Sequence, residues 1–391
     1  MTAVLAAVEG VLEAGRHAGV APALSAAVCR GGALVHASFH GELPAPGARA
    51  LRRDDLFDLA SLTKVMATAT LAAQLVDEGA LALDAPVAQR LPGFEAGGKE
   101  AVTLRHLLAH ASGLPRWRPY FELAAADPVA GAAFLPPGAR PPLAALRDSF
   151  ARGKAIVRGA VLAEPLEERP GARALYCDPG FLALGFLVEE VTGERLGALA
   201  ERRVFRPLGL SSTFFLDGLA PDDALARSAG RAFAPTERCD HRHEVNQGAV
   251  NDDNAWAMGG AAGHAGVFST ALDVVAFGQA WLDALRGRPS AVPSAVAAEF
   301  ARRDATPGTT RALGWDTPSP EASSLGSRLG RRGWGAIGHL GFTGTSLWID
   351  VNREVVVALL TNRVHPTREN EAIRAFRPRF HDVVAEALGI R

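Results

Sequence analysis

From Ser61 to Glu78 the chain runs for eighteen residues without a glycine or a proline. Val65, Ala69, Ala72 and Val76 recur along it at helical spacing, and Gly79 supplies a stop. The run predicts a buried helix whose small residues let other segments pack closely, and the fold has to be assembled around it. It begins Ser61-Leu62-Thr63-Lys64. Residues three apart share a helix face, so the Lys64 amine can reach the Ser61 hydroxyl. At a helix start, free backbone N–H groups and the helix dipole also favour developing negative charge.

The lysine itself stands out. Of 41 cationic side chains only Lys64, Lys99 and Lys154 are lysine, and the rest are arginine. A guanidinium keeps its proton in a protein, whereas a buried amine can lose one. A neutral amine beside a hydroxyl is a nucleophile with its base.

At 391 residues the chain is long for one compact core, and two intimately packed parts are expected. With 48% hydrophobic and 21% charged residues it reads as a soluble globular protein. A net charge of −1, with no lysine- or arginine-rich tract, argues against nucleic acid and anionic membrane surfaces as partners. The stretch from Met1 to Ala14 lacks a basic start and repeats Val4, Leu5, Val8 and Leu12 at helical spacing. It reads as an amphipathic surface helix rather than a signal peptide. No apolar stretch reaches membrane-spanning length. Cys29, Cys177 and Cys239 are odd in number and far apart, which gives no disulfide framework. A cytoplasmic enzyme is the simplest reading.

Alternating apolar stretches around Gly31-Gly32 predict a hairpin of Ala23–Cys29 and Ala33–Phe39. A short helix is expected over Thr103–Ala109, stopped by His110-Ala111-Ser112-Gly113-Leu114-Pro115. Residues 124–145 read as an irregular surface insertion, and Pro179–Val191 as an apolar helix closed by Gly193. Residues 251–268, dense in Gly and Ala, suggest backbone passing close to another segment. Ser269 resembles an N-cap for a helix through Leu285. Two strands, Gly344–Asp350 and Glu354–Leu360, precede a last helix carrying Phe380, Val383, Val384 and Leu388. The expected fold is α/β of the α+β kind: an antiparallel sheet built from both chain ends, flanked by helices, with a mostly helical insert. One catalytic domain is expected over 1–391, with 1–90 and 270–391 forming the sheet part and 91–269 the insert.

Ser61-Leu62-Thr63-Lys64, Tyr176-Cys177-Asp178 and His339-Leu340-Gly341 occur in the order found in penicillin-recognising serine hydrolases. Thr103–Leu108 with His110–Pro115, Gly263–Thr270 and Leu360-Thr361-Asn362-Arg363 extend the likeness over about residues 20 to 385. The chain resembles the class C β-lactamase-related branch, which also holds esterases and peptidoglycan peptidases and amidases. The resemblance implies a β-lactamase/transpeptidase-like fold and a role for each matching residue. Ser61 would be the nucleophile of an acyl-enzyme, Lys64 a base kept neutral by burial, and Tyr176 the proton relay. The backbone N–H groups of Ser61 and Phe342 would form the oxyanion hole. Asp178, His339, Gly341 and His264 would line the substrate site.

Two residues depart from the family pattern. The second motif usually ends in Asn, which can donate to a substrate carbonyl. Ionised Asp178 can only accept, so it shifts substrate contacts or partners Lys64. The third motif often begins with Lys, where this chain has His339, largely neutral near pH 7. In the same branch a histidine stands at the position of Asn251. Strong β-lactam turnover is therefore not expected.

The expected activity is that of a serine hydrolase acting on a small-molecule ester or amide without a cofactor. A peptidoglycan-fragment amidase, a D-Ala peptidase or a weak β-lactamase are the alternatives, and a silent muropeptide-binding module is the reading from another class. Cys239, His241, His243 and Glu244, with Asp240, invite a zinc reading. Four ligands within six residues are too crowded for one tetrahedron, and no metal is expected.

Overall fold

A computed structural model of the chain describes residues 2–43, 48–220, 230–330 and 335–391. Six strands make its main sheet, ordered Arg49–Ala50, Ala33–Leu43, Ala23–Arg30, Val355–Thr361, Ser346–Asp350 and Ala336–Leu340. Neighbours are antiparallel throughout, and the two chain ends meet where Ala27 stands opposite Ala358. The predicted hairpin is present, and both its strands run on, to Arg30 and Leu43.

Side chains alternate across a strand, and here the sheet is covered on both faces. Leu24, Ala26, Val28, Val357 and Leu359 pack with Val8, Val11, Leu12, Phe376, Phe380 and Val384 of the terminal helices, Thr2–His17 and Ile373–Ala387. Ala23, Ala27, Val356, Ala358 and Leu360 face the opposite core, which holds Phe277 and Trp281 and the run after Ser61. Each such large apolar side chain contributes about 1.5–3 kcal/mol on burial.

The run after Ser61 is a central helix rather than a one-faced one, because every residue from Leu62 to Leu75 is buried. It is also not uniform. A 3₁₀ turn at Ala60–Leu62 and a π turn at Lys64–Ala69 precede the α-helix Thr70–Asp77. Threonine hydroxyls account for the irregularity. Thr70 donates to the carbonyl of Val65, Thr68 donates to that of Gly263, and Thr63 accepts from the N–H of Val267. The side chains tie the turn to neighbouring segments at the point where Ser61 emerges.

Two further expectations shift. The helix over Ala271–Leu285 is capped by Thr270, whose side chain accepts from Asp273. Ser269 instead ends the strand Val267–Ser269, its hydroxyl 2.7 Å from that of Thr213. Within 124–145, Ala130, Ala133 and Phe134 are buried in a 3₁₀ turn, because the small alanines allow close packing and the carbonyl of Ala133 accepts from the Trp256 indole. That segment is part of the core and not only a surface insertion. The helices Leu104–Leu108 and Asp178–Thr192 lie where expected, the latter followed by Gly193 in left-handed conformation. Among the described residues no helix is long and apolar enough to cross a membrane.

Candidate active site

The backbone that presents Ser61 is held under strain. Ala60 has φ +47°, a conformation that costs a residue with a Cβ about 1–3 kcal/mol. Asp58 secures it: one carboxylate oxygen accepts from the N–H of Ala60 at 2.8 Å, the other from Asn251 at 2.6 Å. Burial pushes the Asp58 carboxyl up to about 6, against those two hydrogen bonds.

Lys64 is fully buried, and its Nζ donates to Ser61 Oγ at 2.9 Å, Asp178 Oδ1 at 2.8 Å and the carbonyl of His264 at 3.3 Å. Burial opposes its charge, but the Asp178 carboxylate and the Tyr176 phenol outweigh burial and hold the amine above the ordinary lysine range. The resting side chain is an ammonium paired with Asp178, not the neutral amine implied by the family pattern. The departure from Asn to Asp is the reason. Asp178 sits in the first turn of its helix, where Cys177 Sγ accepts from the N–H of Gly180.

Tyr176 lies beside Lys64, whose Nζ stands 4.8 Å from its ring centroid, and both Lys64 and Ser61 act on its phenol. Its ring lies 4.5 Å from that of His110, and the Arg311 guanidinium stands 4.9 Å from its centroid. Burial pushes the phenol above its usual range although Lys64 pulls it down, so Tyr176 rests protonated. His110 was expected only to close a helix. It also orients the tyrosine, because its Nδ1 accepts the N–H of Cys177 at 3.0 Å while its ring packs on Tyr176. His106 belongs to the capping of its own helix, its Nδ1 accepting from the N–H of Thr103.

His339 is buried on the edge strand, 6.0 Å ring to ring from Tyr176. Its Nδ1 donates to the carbonyl of Leu340, and burial together with Lys64 and Arg311 holds it well below the usual histidine range. The imidazole is therefore neutral. His264 offers its carbonyl to Lys64 and its Nε2 to Asp252 at 2.9 Å. Asp252 is held down to about 2: burial works against its charge, and His264 and the N–H of Ala255 prevail. Gly263 meets the helix that carries Asp178; a Cβ there would lie 2.0 Å from the carbonyl of Phe181. The close backbone approach expected over 251–268 is located here.

After the His339 strand the chain turns through Gly341–Thr345. Thr343 and Thr345 donate to the carbonyls of Asp58 and Leu59, tying this turn to the loop before Ser61. Gly341 has no room for a side chain, since a Cβ would stand 2.4 Å from the carbonyl of Leu59. Ser61, Tyr176, Asp178, His264, His339, Gly341 and Phe342 line one cleft of about 570 Å³, with Lys64 beneath it. Trp117 and Phe342 are exposed aromatics on its walls.

Arg311 and Arg377 also line it and carried no local sequence signal, and Arg363, from the Leu360–Arg363 stretch that resembles the family, lines it as well. The Cys239 segment forms a tight hairpin instead of a ligand cluster: His241 packs edge-on against Phe121, and buried Arg242 bonds Asp253. Among the described residues no three His, Cys, Asp or Glu side chains converge to hold a metal.

The family model described as Beta-lactamase matches residues 8–378. The chain belongs to the beta-lactamase family. As a beta-lactamase-family protein it is an enzyme of the serine hydrolase type. Its similarity to a protein of Escherichia coli (strain K12) named "Putative D-alanyl-D-alanine carboxypeptidase" is 30% identity over 331 residues, covering 79% of this chain and 69% of that one. The same fold occurs in a penicillin-binding protein homologue from Caulobacter crescentus, with TM-score 0.70, 20% identity and coverage of 98% and 97%. It occurs again in the hydrolase EstCE1, with promiscuous acyltransferase activity, at TM-score 0.68, 21% identity and 97% coverage of each chain.

Proposed function

We propose that this beta-lactamase-family enzyme cleaves an ester or amide of a small-molecule substrate through an acyl-enzyme on Ser61. The observation that carries this reading is the 2.9 Å contact between Lys64 Nζ and Ser61 Oγ inside a cleft, with the Tyr176 phenol beside both. Attack requires Lys64 as the free amine, so Asp178 sets the pH at which the base becomes available. The amine takes the Ser61 proton as Oγ bonds to the substrate carbonyl carbon. The N–H groups of Ser61 and Phe342 receive the developing oxyanion, each donor lowering the barrier by about 3 kcal/mol. The proton passes through Tyr176 to the leaving group, and water then releases the acyl group by the reverse relay.

A D-Ala peptidase is the second reading, supported by the name that the Escherichia coli relative carries and by its 30% identity. Turnover assays on p-nitrophenyl esters, nitrocefin and an acyl-D-Ala-D-Ala peptide separate the readings. Ester hydrolysis without D-Ala release supports the esterase reading, and D-Ala release supports the peptidase. Absence of turnover on all three, with no adduct at Ser61, would leave the binding module.

A further inference from the structure

Two arginines lining the substrate cleft are buried, and among the described residues neither has a carboxylate within ion-pair distance. Arg377 is 7% exposed and Arg363 8%. One nitrogen of Arg377, Nη2, donates to the carbonyls of Gly341 at 3.1 Å and Thr345 at 2.9 Å, and its Nε has no partner among the described residues. Nε of Arg363 donates to the carbonyl of Phe342 at 2.9 Å, and its Nη1 to those of Arg368 and Asn370. Burying a cation whose hydrogen bonds all go to neutral carbonyls is costly, and it is retained where a negative charge appears nearby. Burial lowers Arg377 to about 9, and Arg363 pushes in the same direction.

The geometry gives that cost a use. The carbonyl of Gly341 and the N–H of Phe342 belong to one peptide group. A cation bonded to that oxygen withdraws electron density from the nitrogen and makes the N–H a stronger donor. The carbonyl of Phe342 is gripped from the next peptide by Arg363, which fixes the direction in which the N–H points. We infer that Arg377 and Arg363 are positioning residues that polarise and aim the Phe342 N–H at the oxyanion. This rests on the Ser61 acyl-enzyme reading. The two cations strengthen an interaction that matters only when charge develops on the substrate oxygen, so they raise kcat and leave KM alone.

Arg377→Gln and Arg363→Gln each keep a neutral donor, and Arg377→Lys restores the charge. The readouts are the acylation rate with a p-nitrophenyl ester, KM, and the Ki of phenylboronic acid, which forms a tetrahedral adduct on the serine. Each Gln variant should acylate at least tenfold more slowly and bind the boronate at least tenfold more weakly, with KM within about twofold. Arg377→Lys should fall between Gln and the wild type. End-point labelling of Ser61 by a fluorophosphonate should still reach one adduct per chain in every folded variant. Two separate variants are used so that if one fails to fold, judged by circular dichroism, the other decides. Wild-type rates and boronate affinities in a folded Gln variant overturn the inference, while an unlabelled wild-type Ser61 overturns the underlying reading.

Discussion

Fully buried Lys64 and half-buried Asp178 form an ion pair, Nζ to Oδ1 at 2.8 Å, across segments more than a hundred residues apart. The same ammonium donates to Ser61 Oγ, so in the proposed mechanism the charge on Asp178 governs the chemistry of Ser61. Removing the carboxylate leaves burial, which favours the neutral amine, opposed by the Tyr176 phenol without Asp178.

Asp178→Asn should therefore shift the rising limb of the kcat/KM profile, which follows Lys64 losing its proton, to lower pH by at least about one unit. The check is a pH–rate profile on one ester substrate, carried to the most alkaline pH at which the fold persists. A limb that stays in place, or moves to higher pH, contradicts the ion-pair account.

Tyr176→Phe keeps the ring between His110 and Arg311 and removes the hydroxyl on which Ser61 and Lys64 act. Its kcat should fall about 10²–10⁴-fold on substrates whose leaving group needs a proton. The loss should be much smaller with p-nitrophenyl esters, whose leaving group departs as an anion. Equal losses on both substrate types would rule out the relay.

His381 is fully buried, donates Nδ1–H to the carbonyl of Arg377, and is pushed down to about 4 by burial. A histidine lowered from about 6.5 in the unfolded chain contributes stability above pH 6.5 and loses it as pH falls towards 4. Between pH 6.5 and 5 that loss is about 2 kcal/mol, and neutral His110 and His339 act in the same sense. Asp58 acts the other way. Raised to about 6, it disfavours folding at neutral pH and recovers stability as pH falls through 6. The net expectation is a lower Tm at pH 5 than at pH 7, with a shallower slope in His381→Leu. An unchanged slope in that variant sinks the assignment.

Gly263→Ala puts a methyl group 2.0 Å from the carbonyl of Phe181 and 3.0 Å from the Cα of Gly185. Relief requires the helix carrying Asp178 to move away from the segment whose neighbouring carbonyl accepts from Lys64. A cost of about 1–3 kcal/mol is expected, together with reduced kcat/KM. Thermal denaturation decides it: a wild-type Tm means the backbones are not in close contact here.

Local chemistry was readable from the residues. The spacing of Ser61 and Lys64, the hairpin glycines and the Gly193 stop each act within a few residues, and each lies where expected. What escaped depends on distant partners. The π turn lies where Thr68 finds the Gly263 carbonyl and Thr63 the Val267 N–H, in a helix buried all round. The N-cap moved one residue because Ser269 found Thr213, leaving Thr270 to cap. The charge of Lys64 follows from Asp178 folding back onto it. Arg377 acts through a carbonyl 36 residues away and forms no motif with it.

The central claim is that Ser61 becomes acylated with Lys64 as its base. Intact-mass spectrometry of the protein after a fluorophosphonate probe, with peptide mapping, tests it most directly. Wild type should gain one adduct on Ser61, Ser61→Ala none, and Lys64→Ala should label at least a hundredfold more slowly with its fold retained. An adduct on another residue, or full-rate labelling without the Lys64 amine, would contradict the account.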